Sequence, residues 1–391
     1  MSNKNQDQQS PSVRSRSIDN LKTAIIIMSV FLHSILAYVP WARHNSVDYT
    51  QSSSLIIDSN SSPVLSLLPL LINGFFMALM FFISGLFVWQ SLEKKGVLSF
   101  IIERLHRLAI PFVLMVSIAM PLAYYPSFLL SGPAASFFSF WVSWSWHSGP
   151  AWFLSLLLFF DLLAAIAFFA SKQSTTLMPR AFAENPAIFF LVLLVSSLAV
   201  SIPSLFLFSP YQWLEWGHFT FGQATRVSQY LVYFLGGVAI GASGLNLSFL
   251  RQDGPLSNRW LNWLIIAFIA TIVQAIVLAS LKLDILIPLT QADNWMYGVS
   301  LSSYTAITSL ASLALSLHFG DVSNFYVDSL RKNSYSIYVI HYPFVTWSQY
   351  CLLGFPLPAE LKAFIVFTVS LLLSWAASEL AKKIPGVNAL L

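Results

Sequence analysis

Ten apolar runs, each about 20 residues long, follow one another along the chain, separated by short polar segments. Runs of that length cross a bilayer core as helices. They are continuous, without the alternation that lipid-facing barrel strands would show, so strands are not expected. The predicted helices cover about 23–40, 66–90, 104–125, 150–171, 186–208, 227–244, 260–281, 297–318, 334–353 and 361–381. Turn and breaker residues fill the gaps, as in Ser59-Asn60-Ser61-Ser62-Pro63, Asp253-Gly254-Pro255 and Gly354-Phe355-Pro356. The expected fold is all-α and polytopic, with one transmembrane domain over 22–391 and a polar, disordered cytoplasmic tail over 1–21. Ala24 to Val39 could be taken for a signal peptide, but the stretch is long and no small-residue cleavage site ends it. An uncleaved first helix fits better.

Composition strengthens the membrane reading. Of 391 residues, 57% are hydrophobic and 9% charged, against about 25% charged in a soluble domain. The single cysteine, Cys351, excludes an intramolecular disulfide and a cysteine-cluster metal site. The net charge of +4 does not point to nucleic acid, because the excess sits at helix ends. With the amino terminus in the cytoplasm and ten alternating helices, 16 of the 20 Lys and Arg fall on the cytoplasmic side. Only Arg43, Arg226, Lys282 and Lys362 fall outside. That asymmetry predicts two cytoplasmic termini. Trp and Tyr crowd the proposed interfaces, as in Trp141 to Trp146 and Tyr211-Gln212-Trp213.

Ionisable residues inside the runs are the candidates for chemistry, since each costs about 2.5–3.5 kcal/mol on insertion scales. Lys22 and His33 are eleven residues apart, which puts them on one helix face about 16 Å apart along the axis. A cation at the mouth with an imidazole beyond it can hold an anion and move a proton. A snorkelling lysine and a structural histidine fit the same spacing. Arg104 and Arg107 share a face at the entrance of the third helix, and two guanidinium forks suit phosphate; anchoring at the cytoplasmic interface explains them as well. His341 lies two turns into the ninth helix, just before Pro343. Asp161, in the fourth helix, calls for a basic or hydroxyl partner across the bundle. Glu103 belongs to the cytoplasmic interface, and Glu215 and His218 to a solvated outer loop. Ser84-Gly85 suits close helix packing. No phosphate loop, HExxH helix or GxSxG elbow is present.

The same segments, in order, resemble the acyltransferase 3 family of bacterial membrane acyltransferases. Lys22, ten residues, then His33 is similar to its Arg/Lys-X10-His pattern. Phe81-Phe82-Ile83-Ser84-Gly85 resembles FFxxSG, and Arg104-Leu105-His106-Arg107-Leu108 before Pro111-Phe112 resembles RxxRL…PF. Gly149-Pro150-Ala151-Trp152-Phe153-Leu154 is similar to a WFL helix start. Tyr233 to Gly237 resembles YFxxG, and Ser334 through His341 and Pro343 resembles SYxIYLxHxP. The resemblance implies transfer of an acyl group, acetyl or succinyl, from cytoplasmic acyl-CoA to a hydroxyl of an exported or periplasmic glycan. It implies a bacterial inner-membrane location, with some likeness to the stand-alone succinyltransferases of periplasmic glucans. Some members carry an added esterase-like domain; with the sequence ending at Leu391, none is expected here. The implied roles are Arg104 and Arg107, with Lys22, on the CoA phosphates. His33 would be general base or nucleophile, with His341 assisting and no metal required. The competing class is a secondary transporter or flippase for a small or lipid-linked substrate.

Overall fold

The computed structural model describes residues 16–45, 52–132, 136–171, 180–216, 219–245, 248–281 and 289–384. Ten long helical segments occupy the ten predicted positions. They are α1 Arg16–Tyr38, α2 Pro63–Lys95, α3 Val97–Leu130, α4 Gly149–Ala170 and α5 Pro186–Leu207. There follow α6 Ala224–Ser243, α7 Trp260–Ser280 and α8 Gln291–Phe319, α9 Phe325–Leu352 and α10 Ala359–Ala381. By length and composition, 8 of these can cross a membrane; α6 and α9 carry too many polar groups to pass on composition alone. The protein is an all-α polytopic membrane protein.

Two features depart from the sequence expectation. The first helix starts at Arg16, so residues 16–21, expected in a disordered tail, are helical. They are held to the end of α8: Asn20 donates to the carbonyls of Gly320 (2.7 Å) and Val322 (2.9 Å). Ser316 donates to Ser17 O (2.6 Å), and Arg16 pairs with Asp321 at 3.3 Å. Residues 1–15 lie outside the described residues. The second departure is an antiparallel hairpin, β1 Trp213–Trp216 and β2 Phe219–Gln223, in the loop before α6. His218 lies outside the described residues, and Glu215 sits on the exposed edge of β1.

Helices α2 and α6 touch backbone to backbone. A Cβ at Gly85 would overlap the Phe234 carbonyl, one at Gly237 the Phe82 carbonyl, and one at Gly241 the Leu86 carbonyl. Glycine is what allows this approach in a bilayer, where close packing drives association. Gly85, Gly237 and Gly241 therefore serve packing.

Helix α3 holds Pro111, Pro121 and Pro126, and it widens into π-type turns at Leu105–Ala109 and Met115–Ala119. Each proline lacks the N–H that would bond the carbonyl four residues earlier. Those carbonyls are Arg107, Ser117 and Leu122, and each one accepts from an aromatic side chain. Tyr335 Oη donates to Arg107 O, Trp141 Nε1 to Ser117 O at 2.7 Å, and Trp347 Nε1 to Leu122 O at 3.0 Å. Trp144 Nε1 also donates to Val116 O at 2.9 Å. Two of these donors belong to α9, so satisfying the α3 backbone also docks α9 against it.

The loop between α1 and α2 is fastened to α10 by a buried ion pair. Lys362 Nζ lies 2.6 Å from Asp58 Oδ2, with side chains 0% and 1% exposed. Ser62 donates to Glu360, and Asn60 donates to Leu357 O at 3.3 Å. Removing one member strands the other charge. Lys362→Met is expected to lower unfolding stability in detergent by about 3–5 kcal/mol. Lys362→Met/Asp58→Asn should recover most of that loss in thermal denaturation; a double variant as unstable as the single one would refute the pairing.

Candidate active site

Two cavities penetrate the bundle towards each other from opposite ends. The larger, about 840 Å³, opens among the amino-terminal halves of α1, α3 and α9 and the carboxy-terminal ends of α2 and α10, with the first half of α4 along its wall. It collects positive charge. Lys22, Arg104 and Arg107 line it, and so do Lys95, Arg331, Lys332 and Lys382, against Asp19, Glu103, Asp161 and Glu379. The smaller, about 250 Å³, lies at the other end, under the 52–55 loop and the hairpin. Its wall is aromatic: Trp41, Trp152, Trp213, Tyr124, Tyr211 and Tyr230 all face it, with Asn73 and Gln223 as amides among them. None of the described residues lining it is Asp, Glu, Lys or Arg.

Four residues, Ser29, Phe76, Met77 and Tyr338, line both cavities. They are the partition between the two ends. The helical spacing of Lys22, Ser29 and His33 explains how α1 serves both: seven and eleven residues are each close to a whole number of turns. Lys22 accordingly lines the basic cavity, His33 the aromatic one, and Ser29 the partition. Tyr338 is fixed by its hydroxyl, which donates to Pro150 O at the start of α4. In the segment Gly149 to Leu154, Trp152 faces the aromatic cavity while Phe153 and Leu154 face the basic one.

His33 and His341 come together in the bundle interior, from α1 and α9. Their ring centroids are 5.4 Å apart, and Tyr342 stands edge-on to His33 at 5.1 Å. His33 faces the aromatic cavity, while His341 is fully buried behind it. His341 Nδ1 lies 2.7 Å from Tyr338 O. A carbonyl only accepts, so Nδ1 carries the proton, and in neutral imidazole Nε2 then holds the lone pair. That Nε2 is buried and has no hydrogen-bond partner. The pair thus offers one imidazole open to the cavity and, behind it, a buried nitrogen with acceptor capacity. Gln349 holds the α1 backbone here, donating to His33 O at 3.0 Å.

The two arginines differ in their surroundings. Arg104 lies 3.3 Å from the buried Asp161 and stacks on Phe100 at 4.9 Å. Arg107 is 62% exposed, with Glu103 at 3.4 Å one helical turn away. Asp161 thus finds the basic partner its burial calls for. Glu103 reaches both Arg107 and Lys95, so it belongs to the charged rim of the cavity. Burial lowers the Lys382 ammonium pKa from its ordinary value, against the opposing pull of Glu379.

Several cavity residues were not singled out from the sequence. Tyr211 and Trp213, assigned above to an interfacial belt, line the aromatic cavity. Arg331, Lys332 and Lys382 had been spent on orientation, and their gathering around one cavity depends on helix packing. His147 reaches the aromatic cavity from a turn in which Trp146 takes φ 60°, a left-handed conformation that costs energy for a non-glycine residue.

The family model of the acyltransferase domain, Acyl_transf_3, matches residues 15–379. The chain belongs to the acyltransferase 3 family. It is a membrane acyltransferase, and the matched stretch holds every described lining residue of both cavities except Lys382. No curated protein matches the chain in sequence. No cluster of three or more metal-binding side chains occurs among the described residues.

The Arg104–Asp161 pair gives this family member a testable coupling. Arg104→Ala alone leaves a buried carboxylate unpaired and is expected to cost about 1–3 kcal/mol of thermal stability. Asp161→Asn in the same chain should return most of it. Equal stability of the single and double variants would contradict the pairing.

Proposed function

We propose that the protein moves an acyl group from acyl-CoA, bound in the basic cavity, to a hydroxyl of a glycan held in the aromatic cavity. The observation that carries this reading is the shared partition. The two cavities enter from opposite ends and meet at Ser29, Phe76, Met77 and Tyr338, beside His33. Donor and acceptor can then meet without either one crossing.

The chemistry of each wall supports the assignment. A CoA head is polyanionic, and the basic cavity has seven cations to four carboxylates among its described lining residues. Arg107, Lys332 and Lys382 stand at its edge, where phosphates form charge-assisted bonds. Arg104 is held by Asp161, so its charge-balanced side chain shapes the entrance and Arg107 is the freer phosphate ligand. The pantetheine arm would extend along the Lys22–Ser29–His33 face. Aromatic rings with interspersed amides suit the apolar faces and hydroxyls of sugars, as around Trp152, Tyr230, Asn73 and Gln223.

In this reading His33 takes the proton of the acceptor hydroxyl as its oxygen attacks the thioester carbonyl. The C–S bond breaks, and the proton passes to the departing thiolate, giving an ester and free CoA. Attack by His33 on the thioester, followed by transfer of the acyl group to the acceptor, uses the same geometry. His341, through its fixed tautomer, orients His33 and offers Nε2 as a proton acceptor. The reading places the basic end in the cytoplasm, the chain in a bacterial inner membrane and the acceptor in the periplasm. Acetyl and succinyl remain the proposed acyl groups, and no metal is called for.

Purified protein should be stabilised against heat by acyl-CoA, and Arg107→Ala/Lys382→Ala should lose at least half of that shift. His33→Ala should keep the shift and lose transfer by at least a hundredfold. An inserted, folded His33→Ala protein with full transfer would overturn the assignment. A wild type that no CoA species stabilises would overturn the donor.

A further inference from the structure

Arg226 is a buried cation that the acyl-transfer chemistry does not use. It lies in the first turn of α6 and is 4% exposed. Its guanidinium donates to uncharged acceptors: Nη1 to Asn73 O at 2.6 Å and Nη2 to Tyr297 Oη at 3.2 Å. Its Nε is buried with no partner. No described carboxylate lies within ion-pairing distance. A guanidinium stays charged wherever it is placed, and a buried charge without a counter-charge is costly. Lys362, the other buried cation at this end of the bundle, has Asp58. Arg226 has a backbone carbonyl and phenols.

Those phenols lead to the aromatic cavity. Tyr230 stands one turn after Arg226 on the same face of α6, and Tyr230, Tyr297 and Tyr211 all interact with its charge. Both Tyr230 and Tyr211 line the cavity, together with Asn73 and Gln223. Arginine has no acceptor, so Tyr230 keeps its own O–H to donate into the cavity, in the field of the adjacent guanidinium. A hydroxyl polarised in this way is a strengthened donor. The Gln223 side-chain oxygen, from the same cavity wall, is buried and unpaired. The cavity has no Asp, Glu, Lys or Arg among its described lining residues, and Arg226 stands directly behind its wall, bonded to Asn73 and one turn before Tyr230.

We propose that the aromatic cavity holds a carboxylate-bearing substrate group, which accepts from Tyr230 and whose charge is balanced across that phenol by Arg226. The proposal rests on the acyl-transfer reading and narrows it to an anionic substrate. The carboxylate has two possible sources, the far end of a dicarboxylic acyl group or an acidic sugar of the acceptor.

The test compares kcat/KM for charged and uncharged partners along two axes. One axis is succinyl-CoA against acetyl-CoA with a neutral glucan oligosaccharide. The other is a glucuronate-bearing oligosaccharide against its neutral counterpart, with acetyl-CoA. Wild type is expected to favour the charged member at least tenfold on one axis, and that axis identifies the source. Arg226→Gln and Tyr230→Phe should each cut the ratio at least fivefold, and Arg226→Lys should restore part of it. A merely structural arginine would lower both rates together and leave the ratios unchanged, which would overturn the proposal. So would a wild type with no charge preference on either axis, a result that needs no folded variant. Absence of transfer with every pair would be a failure of the acyl-transfer reading itself. The subsite is then read from thermal shifts of wild type and Tyr230→Phe with the glucuronate oligosaccharide and with succinyl-CoA, each against its neutral counterpart. A larger shift with a charged member, lost in Tyr230→Phe, upholds it; equal shifts overturn it.

Discussion

A bilayer interior offers no hydrogen-bond partner, so every backbone group there must find one in the protein. This constraint organises the bundle most visibly along α3. Its three prolines release the carbonyls of Arg107, Ser117 and Leu122, and Tyr335, Trp141 and Trp347 take them up. Tyr335 and Trp347 are on α9, which also carries Tyr338 and His341. The bonds that repair α3 therefore set the distance between the Arg104–Arg107 end and the histidine pair. Local widening of α3 into π-type turns, which recur at functional sites in other proteins, is here a consequence of proline placement beside the basic cavity.

The glycine contact between α2 and α6 is the second determinant. With Gly85 and Gly237 at backbone distance, Phe81 on α2 stacks on Tyr230 of α6 at 5.1 Å and meets Phe153 of α4 at 4.8 Å. That stack lies beside the partition between the cavities. Packing residues and substrate-facing residues are consequently interleaved in the same short segments. In Phe81-Phe82-Ile83-Ser84-Gly85, Gly85 permits the helix contact while Ile83 and Ser84 line the basic cavity.

The fold was legible because the apolar runs are long and the breakers between them plain; even α6 and α9, which fail a simple apolarity test, were located by their neighbours. Lys22 and His33 were legible because helical periodicity alone puts them on one face. Other features depend on pairings that sequence separation conceals. Asp58 meets Lys362 across 304 positions, and Arg226 bonds Asn73 across 153. Lysines and arginines at helix ends satisfy the orientation rule wherever they point, so Arg331, Lys332 and Lys382 gave no separate signal. The hairpin escaped because two short strands rich in Trp and Phe are indistinguishable from an interfacial belt until their register is known. Residues 16–21 are mostly polar, and their helix is stabilised by contacts to the end of α8 that composition does not encode.

The central claim is that donor and acceptor reach the histidine pair from opposite ends of the bundle. Proteoliposomes holding the protein in one determined orientation test it directly, with acyl-CoA supplied only on the basic-cavity side and the glycan acceptor only on the aromatic-cavity side. The account predicts acylated glycan in that arrangement and none when the two sides are exchanged. Transfer that requires both substrates in the same compartment would contradict it.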